Sequence, residues 1–338
     1  MKNRKTLQEY KAGILAGDRA ILGQAITLVE SSLEEDQRLA SALLQEVLPH
    51  TGTSLRLAVT GVPGVGKSSF IETFGKLLLE KGKKVAVLAI DPSSSLSQGS
   101  ILGDKTRMEG LSLDKRAYIR PSPSRSALGG VGAKTREAIL FCEAAGFDLI
   151  LVETVGVGQS ETSVKHMVDF FLLLLLSGAG DELQGIKKGI MEMADQVLIH
   201  KADGEALQQA KQAKATFENA LHFFPPNEKN WNPKVILASS LTGLGMEQVW
   251  ETLLDYQEKM KLSGYWEYNR AQQRLFWLDE QIKEYLTQAF LKHPGIRETL
   301  QKERDLVKSG KLNPGVLAER LVQMLLGKEP IDEAYGNQ

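Results

Sequence analysis

Between residues 55 and about 240, short apolar runs alternate with stretches whose apolar positions recur every three or four residues. The runs fall at 57–60, 85–90, 118–120, 149–153, 170–176, 197–200 and 235–238. A strand with one face in water alternates apolar and polar residues, whereas runs apolar throughout predict strands covered on both faces. The expected fold is therefore α/β, a mostly parallel central sheet flanked by helices. Residues 1 to about 50 read as helices. Ile21, Leu22, Ile26 and Val29 share a face behind a candidate cap at Asp18, and Leu39, Leu43, Leu44, Val47 and Leu48 form a second stripe. Residues 49–53, Pro-His-Thr-Gly-Thr, break the pattern as a linker. Beyond Met260 the chain turns helical again, so the expected division is a helical extension at 1–50, a central domain at 51–260 and a helical arm at 261–338.

The first run leads into Gly61, Val62, Pro63, Gly64, Val65, Gly66, Lys67, Ser68 and Ser69, a G-x-x-x-x-G-K-S sequence. Helix-compatible spacing follows in Phe70, Ile71, Phe74, Leu77 and Leu78, with Gly82 as a stop. A strand, this loop and a helix make a P-loop NTPase element. Backbone N–H groups surround a phosphate, Lys67 adds positive charge, and the Ser68 hydroxyl is offered to Mg²⁺.

Composition narrows the class little. Of 338 residues, 42% are hydrophobic and 25% charged, an ordinary globular balance. Lys plus Arg (41) against Asp plus Glu (42) argues against nucleic-acid binding by bulk charge. The apolar run at 170–176 is far shorter than the roughly 18–20 residues of a membrane span. Residues 1–10 carry no apolar stretch and thus no expected secretory signal. The single cysteine, Cys142, forms no internal disulfide and suits a cytoplasmic location.

Further segments bear on what the P-loop serves. Residues 149–156 end a strand in Glu153-Thr154-Val155-Gly156, where P-loop nucleotidases hold Mg²⁺ or its water and sense the terminal phosphate; a solvated strand-end glutamate is the alternative. His200-Lys201-Ala202-Asp203 stands where GTP-binding proteins carry N-K-x-D. The Asp203 carboxylate accepts from the guanine ring N–H and amine, and Lys201 lays its stem along the base; a helix cap without a ligand is the competing account. The usual asparagine donates to the guanine ring and braces the phosphate loop, while an imidazole N–H suits one of these tasks. Ser239, Ser240 and Leu241 follow the last strand, as the S-A-x backbone that meets the guanine carbonyl does, or as a plain turn. Asp91 and Asp104, in a polar loop after the second run, are candidate magnesium-shell carboxylates or members of a solvated loop. Val157 stands where Ras-type GTPases have a water-orienting glutamine, so slow intrinsic hydrolysis is expected, with Gln159, Lys187 or a partner supplying what is missing.

Residues 147–161, the run Gly178-Ala179-Gly180-Asp181-Glu182-Leu183-Gln184-Gly185-Ile186-Lys187-Lys188, and Arg120-Pro121-Ser122-Pro123-Ser124-Arg125 resemble the methylmalonyl-CoA-mutase-associated GTPases of MeaB/ArgK type. That family includes the mitochondrial methylmalonic aciduria type A protein and has an older name as a lysine/arginine/ornithine transport kinase. The resemblance spans nearly the whole chain. His200 departs from the family's asparagine, Ser240 from its usual alanine and Ser177 from a common proline. It implies a GTPase chaperone, with GTP or GDP as ligand and Mg²⁺ as cofactor. The client would be an adenosylcobalamin-dependent acyl-CoA mutase, whose cofactor loading it gates and which it protects. It also implies a switch loop carrying Asp181, Gln184 and Lys187, although Lys187 reads equally as a plain surface lysine. A homodimer through the C-terminal helices is the further implication, consistent with the stripe Leu275, Leu278, Ile282, Leu286 and Phe290; the same stripe alone also reads as cover for the central domain. The competing class is a P-loop kinase acting on a metabolite or transport protein, for which Arg120, Arg125 and Arg136 are candidate lid residues. A metallochaperone is disfavoured, because His50, His166, His200, His222 and His293 show no ligand spacing.

Overall fold

A computed structural model describes residues 4–91, 108–123, 128–154, 160–178, 188–223 and 228–328. Two compact units divide at Arg274 and Leu275. The first opens with three helices, α1 (Leu7–Leu15), α2 (Arg19–Glu30) and α3 (Glu34–Val47). Asp18 caps α2 as its position suggests, its carboxylate accepting from the N–H groups of Ala20 (2.8 Å) and Ile21 (3.1 Å). Thr6 and Glu9 form a capping box on α1, from a T-x-x-E signal.

Seven parallel strands follow: β1 (Leu55–Gly61), β2 (Val85–Asp91), β3 (Ala117–Pro123), β4 (Leu149–Thr154), β5 (Phe170–Leu176), β6 (Gln196–His200) and β7 (Lys234–Leu237). Each expected run is a strand, and every pairing is parallel. Their order across the sheet is β3-β2-β4-β1-β5-β6-β7. The helices between them are α4 (Lys67–Glu80), α5 (Glu109–Leu113), α6 (Leu128–Ala144), α7 (Ser160–Lys165), α8 (Lys188–Met193) and α9 (Leu207–Leu221), with α10 (Met246–Leu262) after β7.

Successive strand residues enter two different cores, which is why the runs are apolar throughout. Ala58, Ile150, Val152, Phe171 and Leu173 join the layer that holds α1, α2, α3 and α6. Leu57, Val59, Leu149, Leu151, Phe170 and Leu172 join the opposite layer, with Phe70 and Phe74 of α4 and Val249 and Leu253 of α10. The N-terminal helices thus share the core of the sheet. Leu48 stands apart from the stripe expected on α3: it lies in the 3-10 turn Leu48–His50 and is exposed.

Helix α11 (Tyr265–Lys292) begins in the first unit and ends in the second. At its start Arg270 makes a bidentate pair with Asp169 just before β5, Nε to Oδ1 at 2.8 Å and Nη2 to Oδ2 at 2.7 Å. Arg270 also donates to the carbonyls of Gly52 and Ser54 and stacks on Trp266. The second unit packs α12 (Pro294–Lys308) and α13 (Pro314–Leu325) around Ile296, Leu317 and Leu321, with Phe290 partly buried against them. Leu275, Leu278, Ile282 and Leu286 remain about half exposed. Among the described residues, no helix is long and apolar enough to cross a membrane.

Candidate nucleotide site

The site is assembled at the carboxyl ends of the central strands, where ligands of open parallel sheets bind. β1 lies between β4 and β5, where the order of the strands reverses, and residues 61–66 link it to α4. Two glycines are required there by geometry. Gly61 has φ +149° and a Cβ would lie 2.4 Å from the Leu174 carbonyl oxygen; Gly66 has φ +99° and a Cβ would lie 2.7 Å from the His200 ring.

Lys67 is buried, its ammonium donating to the carbonyls of Gly61 (2.8 Å) and Val62 (3.2 Å). Burial pushes its pKa down, while Glu153 and Glu161 pull it back up. Those two carboxylates favour the charged ammonium that phosphate binding needs. Glu161 was not singled out by its residue type or spacing. It is fully buried at the start of α7, and its chemistry became visible only through the charge it places near Lys67.

Glu153 sits opposite Val59 of β1, and its Oε1 accepts from the Ser68 hydroxyl at 2.9 Å. The fold thus joins two of the candidate magnesium ligands across 85 residues of chain. The buried hydroxyls of Thr60 and Thr154, 2.8 Å apart, tie the ends of β1 and β4 beside them. Asp91 ends β2, but its side chain and all of Asp104, Gln159 and Lys187 lie outside the described residues, as do Val157, Asp181, Gln184 and Arg125.

The base-side candidates gather around the same loop. Lys201, with a positive φ of 58°, donates to the Gly64 carbonyl at 2.9 Å. The Ala202 N–H donates to the Ala238 carbonyl at 2.9 Å, holding the β6 and β7 loops together. Asp203 Oδ2 accepts from the buried Ser239 hydroxyl. The Ser239 oxygen in turn accepts from the N–H groups of Leu241 (3.2 Å) and Thr242 (3.3 Å). Ser240 presents its carbonyl to Thr73 of α4 at 3.1 Å, and the Leu241 side chain is exposed. His200, opposite Leu176 at the end of β6, places Nδ1 2.7 Å from the Val65 carbonyl oxygen. The imidazole therefore performs the loop-bracing half of the asparagine's work.

Lys67, Ser68, Glu153, Lys201, Asp203, Ser239 and Ser240 are thus brought to one rim of the sheet. Two of the three arginines considered for a kinase lid are engaged elsewhere: Arg120 pairs with Glu30 of α2, and Arg136 donates to the His166 carbonyl at 3.1 Å. Cys142 is fully buried and burial raises its pKa, so its thiol belongs to the core.

Known proteins resemble this chain over most of their length. The chain is 46% identical over 332 residues to the mitochondrial methylmalonic aciduria type A homolog of Mus musculus, covering 95% of this chain and 80% of that protein. It is 48% identical over 284 residues to the GTPase ArgK of Escherichia coli, covering 84% and 86% respectively. A crystal structure described as a LAO/AO transport system kinase superposes with a TM-score of 0.74 at 37% identity, over 96% of this chain and 99% of that one. Residues 22–294 match the family model of the methylmalonyl-CoA mutase-associated GTPase MeaB, and the chain belongs to that family of GTPases.

Proposed function

We propose that this GTPase acts as a chaperone of an adenosylcobalamin-dependent acyl-CoA mutase, its nucleotide state gating cofactor loading and protecting the mutase from inactivation. The observation that carries the reading is the family match over residues 22–294, a family described by its association with methylmalonyl-CoA mutase. The cobalamin belongs to the partner. Slow intrinsic turnover follows from Val157 at the position of the usual glutamine, and the mutase is the partner expected to stimulate it.

The roles of the site residues belong to the same proposal. Backbone groups of residues 61–66 cradle the phosphates, Lys67 offsets their charge, and Asp203 reads guanine beside Lys201 and the 239–241 loop. The Ser68 hydroxyl and the Glu153 carboxylate, 2.9 Å apart, are two hard oxygen donors on converging elements. They fit Mg²⁺, which takes few protein ligands and completes its shell with phosphate oxygens and water. When bound, the ion supplies neutralisation of charge on the β- and γ-phosphate oxygens. We place the protein in the cytoplasm and infer a homodimer through the half-exposed stripe of α11.

The test is phosphate release from GTP as the mutase is titrated in. A rate that rises and saturates, with less stimulation in Lys187→Ala, supports the proposal. A flat rate refutes the partnership. Transfer of the γ-phosphate to an acceptor, with no release of inorganic phosphate, would favour the kinase instead.

A further inference from the structure

The two departures from the family pattern at the base side, His200 for asparagine and Ser240 for alanine, touch each other: His200 Nε2 and Ser240 Oγ are 2.7 Å apart. The other ring nitrogen, Nδ1, is 2.7 Å from the Val65 carbonyl oxygen. A carbonyl oxygen only accepts, so Nδ1 carries the proton. In a neutral imidazole Nε2 is then an acceptor, and it takes the proton of the Ser240 hydroxyl. The ring is 2% exposed, and burial holds its pKa below the ordinary histidine value. The Val65 carbonyl and Asp203 oppose that shift, and Lys201 adds to it.

An asparagine amide carries two N–H bonds, enough to brace the loop and still reach a base. The neutral imidazole has one, and Val65 uses it. Guanine N7 is an acceptor. Facing it with Nε2 would set two acceptors together, and the Ser240 proton is already committed to the ring. We propose that guanine N7 receives no hydrogen bond from position 200 in this protein. His200 and Ser240 are a matched positioning pair that stiffens the phosphate loop, and base selection falls on Asp203. The inference rests on the guanine-nucleotide reading of the site and adds which edge of the base is left unread.

The probe is 7-deaza-GDP, in which N7 is a C–H, compared with GDP by calorimetric titration of the full-length protein. Wild type is expected to bind both within about twofold. The double variant His200→Asn/Ser240→Ala restores a free amide N–H and is expected to prefer GDP by about fivefold, the worth of one net hydrogen bond. A wild-type preference for GDP of about fivefold or more overturns the inference. Equal binding of both nucleotides by the folded double variant overturns the assignment of that missing bond to the His200–Ser240 pair, because position 200 would then miss N7 whatever its side chain. Absence of GDP binding to wild type would instead remove the guanine reading itself, and this proposal with it. The wild-type comparison needs no variant and stands whether or not the double variant folds.

Discussion

Asp203→Asn is expected to exchange guanine for xanthine, and the hydrogen bonds around Ser239 set how cleanly. The Ser239 oxygen already accepts from the N–H groups of Leu241 and Thr242, so its own proton goes to Asp203 Oδ2. In the variant, the atom facing Ser239 must again be an acceptor. That fixes the new amide with its carbonyl towards Ser239 and its NH₂ group towards the base. Guanine presents donors there, N1–H and the 2-amine, whereas xanthine carries a carbonyl at C2. A hydrogen bond to a charged group contributes about 1.5–3 kcal/mol, and donor now opposes donor. The loss is about 3 kcal/mol, roughly a hundredfold weaker GDP binding, with xanthosine diphosphate gaining in its place. Competitive titration with the two diphosphates measures it. Retention of GDP affinity within about threefold of wild type would refute the role of Asp203. Adding Ser239→Ala releases the amide to rotate and is expected to blunt the xanthine preference; an undiminished preference would mean that Ser239 does not orient it.

Four further substitutions test other parts of the structure. Lys67→Ala and Ser68→Ala are each expected to abolish Mg²⁺-dependent GTP hydrolysis while circular dichroism stays native, and normal turnover in either would displace the catalytic assignment. Arg270→Met leaves Asp169 buried with its charge uncompensated, a pair only 4% and 2% exposed, and is expected to cost about 3–5 kcal/mol in urea unfolding. A loss under about 1 kcal/mol would place the pair with ordinary surface bridges. Ile282→Glu on α11 is expected to turn the proposed dimer into a monomer in light scattering; an unchanged dimer mass would move the interface elsewhere, and a monomeric wild type would remove the dimer.

The sequence by itself determined the elements. Seven apolar runs became seven strands because burial on both faces leaves a continuous local signature, and the parallel sheet followed from it. The strand, loop and helix around residues 61–66 and the positions of the two base-side candidates after their strands were equally legible, since turns and strand ends are written in neighbouring residues. Only the tertiary structure decided that β1 lies between β4 and β5, because nothing in a strand's own residues names its partner. It also decided that Glu153 meets Ser68, that Glu161 lends its charge to Lys67, and that Arg270 neutralises Asp169 over 101 residues. His200 was legible as an exception but not as a solution. Its brace to Val65 spans 135 positions and its partner Ser240 is 40 away, and such contacts exist only once the sheet has set the loops side by side. Local patterns report which face of an element is buried; which side chains meet across the rim depends on strand order, which long-range packing selects.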